Sequence, residues 1–265
     1  MRSNNPILIL LLTFSLIGCD KTVPEVKKQF DIFVVAGQSN THLGYGYDEN
    51  IDTPDESIFQ LGRGDHDFQI KLAEEPLDHF TKTDSCVGFA LTFAKLYKIQ
   101  YLSPDRDIII IPCGSGGTSF MNNEWNDGDY FFEDVIERTK HVMANYPGSV
   151  LKAILWHQGE SDIYNLNYQS ALDSMITRMR NKLNYPDIPF ILGGMVPYWA
   201  DQYDNNDIQG IISNTPNRLP NCGYADPTVP FVIEKDDNTL NPIHYNAEGL
   251  RELGIRYFKE YKKLN

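Results

Sequence analysis

A serine placed directly after a buried strand is the first candidate for chemistry in this chain. Residues 33–36 read Phe-Val-Val-Ala, an apolar run that stops at Gly37, and Ser39 follows two residues later. This pattern puts a hydroxyl at the carboxyl end of a strand, where ligands bind in open α/β sheets. Serine attacks an ester only when a base accepts its proton. We predict that His244, in the segment 241–244 near the C-terminus, is that base.

A glycine-rich segment follows the second apolar run. Residues 114–118 read Gly-Ser-Gly-Gly-Thr and come after the run 107–112. Adjacent glycines let backbone N–H groups turn toward a ligand. The segment is open to three interpretations, which are a phosphate cradle, an oxyanion donor for acyl transfer, and a tight turn. It lacks the lysine of a P-loop and the spacing of a dinucleotide-binding motif, which disfavours the phosphate cradle.

A third polar segment follows the run 151–156 and reads His-Gln-Gly-Glu-Ser-Asp over residues 157–162. Glu160 can orient an imidazole, and the side-chain amide of Gln158 can donate to a developing oxyanion. His157 is interpreted as a hydrogen-bonded structural group rather than a second base, and Asp162 as the cap of the following turn. The sequence therefore predicts Ser39, His244 and Glu160 as nucleophile, base and orienting acid.

These motifs resemble a known superfamily. Residues 37–40 (Gly-Gln-Ser-Asn), 116–118 and 156–162 are similar to the SGNH hydrolases, and within them to the sialate O-acetylesterase and acetylxylan esterase group, carbohydrate esterase family six. The resemblance implies a three-layer α/β/α sandwich with a central parallel sheet of flavodoxin-like order. It implies an oxyanion hole formed by the N–H of Ser39, an N–H of Gly116 or Gly117, and the Gln158 side chain. It implies no metal or organic cofactor.

One position departs from the superfamily pattern. Asn241 stands where an aspartate commonly precedes the histidine by three residues. An amide oxygen accepts a hydrogen bond from the imidazole, but it supplies no negative charge. We therefore expect Glu160 to orient His244, with Asn241 as the alternative and the nearby Asp236 and Asp237 as further acids. On this expectation, Glu160→Gln lowers turnover more than Asn241→Ala.

The predicted reaction is the removal of O-acetyl groups from a carbohydrate, such as acetylated xylan, sialic acid or a related glycan, through an acetyl-enzyme intermediate. Asn40 and Trp125 are candidate substrate contacts, and the spacing of Trp125 from the glycine segment is similar to that in the family. The main alternative is a non-catalytic carbohydrate-binding lipoprotein on the same fold, which only Asn241 favours. A flavodoxin-like nucleotide binder and a longer-chain lipase are further alternatives.

The elements that must position these residues alternate along the chain. Apolar runs at 31–36, 107–112, 151–156 and 190–195 are separated by segments with helical periodicity, which predicts a parallel sheet covered by helices on both faces. The 265 residues, 42% of them apolar, suffice for one domain, which we place at residues 30–265. Residues 44–84 and 198–230 show no clear period and are predicted to form walls of the site. The net charge of −13 argues against nucleic acid as a partner.

The N-terminus has the pattern of a targeting segment. Arg2 precedes an apolar run from Ile7 to Ile17, too short to span a bilayer, and small residues lead to Cys19. This resembles a bacterial lipoprotein signal, so we predict a signal peptide at 1–19, lipid attachment at Cys19, a tether at 20–29, and an exported protein anchored in the cell envelope. Of the remaining cysteines, Cys86 and Cys222 are one candidate disulfide pair. The oligomeric state is left open.

Overall fold

Apolar runs form the strands at the centre of the molecule. The computed structural model describes residues 28–202, 206–234 and 241–265. Nine strands lie within these ranges: β1 (Phe30–Gly37), β2 (Gly44–Tyr45), β3 (Ile58–Leu61), β4 (Ile70–Leu72), β5 (Cys86–Val87), β6 (Asp107–Gly114), β7 (Val150–His157), β8 (Phe190–Gly193) and β9 (Cys222–Ala225). The four predicted strands are β1, β6, β7 and β8, so these predictions are confirmed.

The helices alternate with the long strands as predicted. The described ranges contain α1 (Ala90–Tyr101), α2 (Tyr130–Asn145), α3 (Tyr168–Leu183), α4 (Pro197–Gln202), α5 (Asn206–Ser213), α6 (Thr215–Arg218) and α7 (Ala247–Leu264). Asn246 caps α7, because its side chain accepts a hydrogen bond from the N–H of Gly249 at 2.9 Å. This cap lies two residues after His244 and fixes the start of the helix at Ala247.

Seven strands form one sheet in the order β4-β3-β6-β1-β7-β8-β9. Every neighbouring pair is parallel except β3 and β4, which are antiparallel. Without the β3–β4 hairpin, the remaining five strands have the flavodoxin-like order. The predicted three-layer α/β/α class is confirmed, and the sheet is mixed rather than wholly parallel because of β4.

Side chains of β1 alternate between the two helical layers. The Phe33 ring packs against Phe93 of α1 and Tyr261 of α7, with ring centres 5.0 and 6.0 Å away. Phe30, which points to the other face, packs against Tyr146 at the end of α2. All eight residues of β1 are buried, so this strand lies at the centre of the core.

The register of the central strands brings three loops to one edge. Gly37 at the end of β1 pairs with Gly114 at the end of β6 and with His157 at the end of β7. Gly37 has a φ of +124°, and a Cβ there would lie 2.0 Å from the His157 carbonyl oxygen. Only glycine fits this position, so the turn that carries Ser39 depends on it.

Two segments predicted to be irregular contain regular elements. The segment 44–84 carries β2, β3 and β4, and the segment 198–230 carries β9 and most of the short helices α4 to α6. Cys86, Cys113 and Cys222 are buried and free, so the candidate Cys86–Cys222 disulfide is wrong. The predicted signal peptide, Cys19 and most of the tether lie outside the described residues. Within the described ranges, no helix has the length and apolar character needed to cross a membrane.

Candidate active site

Ser39 lies in a short turn at the carboxyl edge of the sheet. The chain leaves β1 at Gly37 and forms a 3-10 turn over Ser39–Thr41. Ser39 Oγ is 2.8 Å from Nε2 of His244, although the two residues are 205 positions apart in the sequence. Ser39 is buried and His244 is partly exposed. The predicted nucleophile and base are thus within hydrogen-bond distance.

The other ring nitrogen of His244 contacts Asn241. Nδ1 of His244 is 3.1 Å from Oδ1 of Asn241. Because a carbonyl oxygen only accepts, this contact places the ring proton on Nδ1 and leaves the lone pair of Nε2 toward Ser39. The candidate acids Asp236 and Asp237 lie outside the described residues.

Asn40 holds the backbone on both sides of His244. Its Nδ2 donates to the carbonyl oxygen of Ile243 at 2.9 Å, and its Oδ1 accepts from the N–H of Tyr245 at 3.0 Å. The same Nδ2 donates to Oε1 of Glu160 at 2.6 Å. Asn40 is fully buried, so its predicted contact with substrate is wrong.

Glu160 contacts Asn40 and His157 rather than the His244 ring. Its Oε1 is 3.4 Å from Nε2 of His157, and its Oε2 is buried without a hydrogen-bond partner in the described part of the chain. Burial alone would raise the pKa of the Glu160 carboxyl, but the neighbouring His157 ring and the hydrogen bond from Asn40 hold that pKa below its usual range. The predicted direct contact of Glu160 with His244 is therefore wrong, and Asn40 links the carboxylate to the backbone on both sides of the base.

The glycine segment lies against the serine. A Cβ built on Gly116 would lie 3.9 Å from Cβ of Ser39. The N–H of Gly116 donates to Oγ1 of Thr81 at 2.8 Å, whereas the N–H groups of Ser39 and Gly117 donate to nothing within the described ranges. The structure brings the three predicted backbone donors to the loops that meet at this edge, and it adds Thr81, which the sequence did not single out.

Gln158 does not offer its side chain to the serine. Its Nε2 donates to Oδ2 of Asp162 at 2.6 Å and to the carbonyl oxygen of Thr118 at 3.4 Å, and the residue is fully buried. Both amide hydrogens are thus engaged in other hydrogen bonds, so in this structure the side chain is not positioned to donate to an oxyanion at Ser39 as predicted. The physical reason is Asp162, since a buried carboxylate is a stronger acceptor than a neutral group.

Two aromatic predictions resolve differently. Trp125 is fully buried, donates from Nε1 to Oγ1 of Thr118 at 2.9 Å, and packs its ring edge-on against Trp156. It contacts the glycine segment through Thr118 from within the core, and because it is buried its predicted contact with substrate is wrong. His157 is also fully buried, as expected for a structural histidine.

Two further histidines lie behind the glycine segment. His42 Nε2 is 3.0 Å from Thr81 Oγ1, and the ring stacks on His79 with centres 4.5 Å apart. Nδ1 of His79 accepts from the N–H of Gly114 at 2.9 Å. Burial, and next the charge of a protonated His244, lowers the pKa of His42 to about 3, so this ring is neutral. These contacts could not be read from the sequence, because they join the long segment between the serine turn and α1 to the sheet edge.

The comparison with family models decides the class. The model described as carbohydrate esterase, sialic acid-specific acetylesterase matches residues 29–263. The chain belongs to this family. It is therefore a carboxylic ester hydrolase, and the predicted resemblance is confirmed.

Two curated relatives are similar to this family member. One is a probable carbohydrate esterase of Arabidopsis thaliana, 31% identical over 198 residues that cover 66% of this chain and 72% of the relative. The other is a probable 9-O-acetyl-N-acetylneuraminic acid deacetylase of Escherichia coli K12, 24% identical over 251 residues that cover 74% and 76% of the two chains.

Solved structures agree on the fold. The crystal structure of the Arabidopsis thaliana protein superposes with a TM-score of 0.73 at 26% identity, covering 89% of this chain and 98% of that one. The crystal structure of NanS superposes with a TM-score of 0.77 at 19% identity and the same coverage, which bears on the fold alone. Among the described residues of this chain, no group of three His, Cys, Asp or Glu side chains is arranged to hold a metal ion.

Proposed function

We propose that this carbohydrate esterase is a serine enzyme that removes O-acetyl groups from a glycan through an acetyl-enzyme intermediate. The observation that carries the proposal is the 2.8 Å contact between Ser39 Oγ and His244 Nε2 at the sheet edge. The free N–H of Ser39 and the nearby Gly116 supply the second requirement, which is a set of donors for an oxyanion.

The proposed reaction has two halves. Ser39 Oγ attacks the acetyl carbonyl carbon while Nε2 of His244 takes the hydroxyl proton, and the carbonyl oxygen becomes an oxyanion. The N–H groups of Ser39 and Gly116 donate to it, with the oxyanion replacing Thr81 as acceptor at Gly116. His244 then gives its proton to the departing sugar oxygen, which leaves acetyl-Ser39. Water attacks this ester, His244 takes the proton of the water, and acetate departs as the proton returns to Ser39.

Two asparagines position the base in this proposal. Asn241 fixes the tautomer of His244, and Asn40 fixes the backbone at Ile243 and Tyr245. Glu160 acts as a positioning residue because it anchors Asn40. The negative charge of Glu160 therefore acts on the imidazolium through one intervening side chain, rather than by direct contact.

The substrate class comes from the family. An O-acetylated carbohydrate is proposed, with acetylated xylan, O-acetyl sialic acid and related glycans as members to test. The name of the Escherichia coli relative supports an acetyl group on a sugar hydroxyl. Attachment of the enzyme to the cell envelope through Cys19 is proposed on the N-terminal sequence pattern, and loss of membrane association in Cys19→Ser is the test.

Acetate release tests the activity. The wild-type protein is expected to hydrolyse p-nitrophenyl acetate and to release acetate from at least one acetylated glycan. Ser39→Ala is expected to lower both rates by about 10³-fold or more, because the nucleophile is lost. Ser213→Ala is the matched control, since Ser213 is partly exposed and its hydroxyl donates to the carbonyl oxygen of Gly210 in α5. A wild-type protein without acetate release, or an active Ser39→Ala variant, contradicts the proposal, and binding without turnover would favour the carbohydrate-binding alternative.

A further inference from the structure

A cleft lies between the loop that follows β6 and the loop that follows β7, at the same edge of the sheet as Ser39. Its volume is about 580 Å³. Three of the side chains that line it are strongly exposed, namely Met121 (56%), Tyr164 (81%) and Leu166 (100%). Apolar side chains gathered on a surface in this way mark a binding site rather than a random part of the exterior.

All but one of the polar side chains that line the cleft are uncharged donors and acceptors. Asn123 and Asn167 line it, and their side chains make no hydrogen bond within the described part of the chain. The lining residues include no Lys, Arg or His, and the one carboxylate, Asp129, already accepts from the N–H and the side chain of Asn126 at 2.7 and 2.8 Å. An aromatic ring with free amides around it suits a ligand that has both C–H faces and hydroxyl groups.

Asp162 fixes both walls of the cleft. Its carboxylate accepts from the N–H groups of Phe120 and Met121 at 2.8 and 3.2 Å on one wall. On the other wall it accepts from the side chain of Asn165 at 2.9 Å. The cleft is thereby held in one shape before any ligand arrives, which lowers the entropy lost on binding.

The cleft is within reach of a substrate bound at Ser39. Gly116 lies against Ser39, and Phe120 at the near end of the cleft is four residues further along the chain. Four residues span at most about 14 Å. A chain of a few linked sugars can therefore place its acetyl ester at the serine and a neighbouring unit in the cleft.

We propose that this cleft binds uncharged sugar units of the same glycan whose acetyl ester is cleaved at Ser39. The inference rests on the proposed function and adds a substrate class, an extended neutral oligosaccharide rather than a single acidic sugar. Tyr164 provides the stacking face, and Asn123 and Asn167 provide hydrogen bonds to hydroxyl groups.

The test compares substrates of different length and charge. Acetate release is measured with acetylated xylo-oligosaccharides of two to six units, with O-acetyl sialic acid, and with p-nitrophenyl acetate, which is too small to fill both sites. For the wild-type protein, KM is expected to fall as the neutral chain lengthens. Tyr164→Ala is expected to raise KM for the longest oligosaccharide about ten-fold and to leave p-nitrophenyl acetate within two-fold. Ile99→Ala is the control, because Ile99 is equally exposed (82%) and lies near the end of α1 that leads to the amino end of β6, whereas the site lies at the carboxyl ends of the strands.

Each outcome decides a separate claim. Three results would overturn the cleft proposal and leave the proposed esterase activity intact. They are a KM that does not change with chain length, an equal rise in KM in Ile99→Ala, and an equal rise in KM for O-acetyl sialic acid in Tyr164→Ala. A change in molecular mass caused by Tyr164→Ala would make the patch a contact between copies of the chain and would also overturn it. Failure of the wild-type protein to release acetate from any glycan contradicts the proposed function instead.

Discussion

Replacing Asn40 by alanine tests how the base is held. The change removes three hydrogen bonds and leaves the Ile243 carbonyl, the Tyr245 N–H and Glu160 Oε1 without this partner. Each buried group left unpaired costs about 1–3 kcal/mol, so the variant is expected to lose at least about 3 kcal/mol of unfolding free energy. The more informative effect is on the position of His244, because a displacement of about 1 Å can lower a rate about 10²-fold.

Gln60 provides a matched control for this loss. It is also a fully buried amide with three hydrogen bonds, two from Nε2 to the carbonyls of Leu72 and Glu74 and one from the N–H of Asp78 to Oε1. It lies in β3, away from the His244 loop. Gln60→Ala is therefore expected to lose similar stability and to retain its rate.

The assay is p-nitrophenyl acetate hydrolysis at a temperature where both variants remain folded, checked by circular dichroism. Asn40→Ala is expected to lower kcat about 10²-fold with little change in KM, because the acyl group still binds. Gln60→Ala is expected to stay within about three-fold of the wild-type kcat. Equal rates for the two folded variants would refute the argument that Asn40 positions the base.

Further outcomes follow from other contacts. Asn241→Ala is expected to lower kcat/KM more than Glu160→Gln, the reverse of the sequence-based expectation, because Asn241 contacts the ring whereas a glutamine at 160 still accepts from Asn40; a larger loss in Glu160→Gln, measured in the same assay, would restore the direct role. Gln158→Ala is expected to lower the melting temperature through the lost bond to Asp162 and to change kcat less than ten-fold, whereas a loss of about 10²–10³-fold at full folding would identify an oxyanion donor. Because the pKa of His42 falls from 6.5 to about 3 on folding, its contribution to stability is complete above pH 6.5 and is lost as the pH falls toward 3, by about 2 kcal/mol between pH 7 and pH 5. Urea unfolding of His42→Asn at these two pH values is expected to show a smaller decrease than the wild type, and equal decreases would contradict the assignment.

The edge on which the site stands could be predicted from sequence, because long apolar strands have a readable pattern. The runs that became β1, β6 and β7 end at Gly37, Gly114 and His157, and parallel pairing brings those ends together. Short strands were missed for the opposite reason. The three residues of β4 and the four of β9 lie in mixed segments and give no reliable alternation.

Side-chain pairing could not be predicted, because it depends on which polar groups are buried together. Gln158 and Glu160 lie in the same loop, and the sequence predicted a catalytic role for each, as oxyanion donor and as orienting acid. Burial pairs Gln158 with Asp162, and it pairs Glu160 with Asn40, 120 residues away. The spacing of Trp125 from the glycine segment is similar to that in the family, yet its ring is buried in the core. Spacing along the chain does not show whether a side chain points into the core or toward a substrate.

The segment between the serine turn and α1 has a consequence for how the site can change in sequence. It forms the β3–β4 hairpin at the edge of the sheet beside β6 and then leads back to the site. There the hydroxyl of Thr81 accepts a hydrogen bond from the N–H of Gly116. Substitutions near Thr81 therefore change the surroundings of Gly116 without altering a residue of β1, β6 or β7. The Thr81 contact and the strands that position Ser39 thus come from separate stretches of the polypeptide, so the first can change in sequence while the second is preserved.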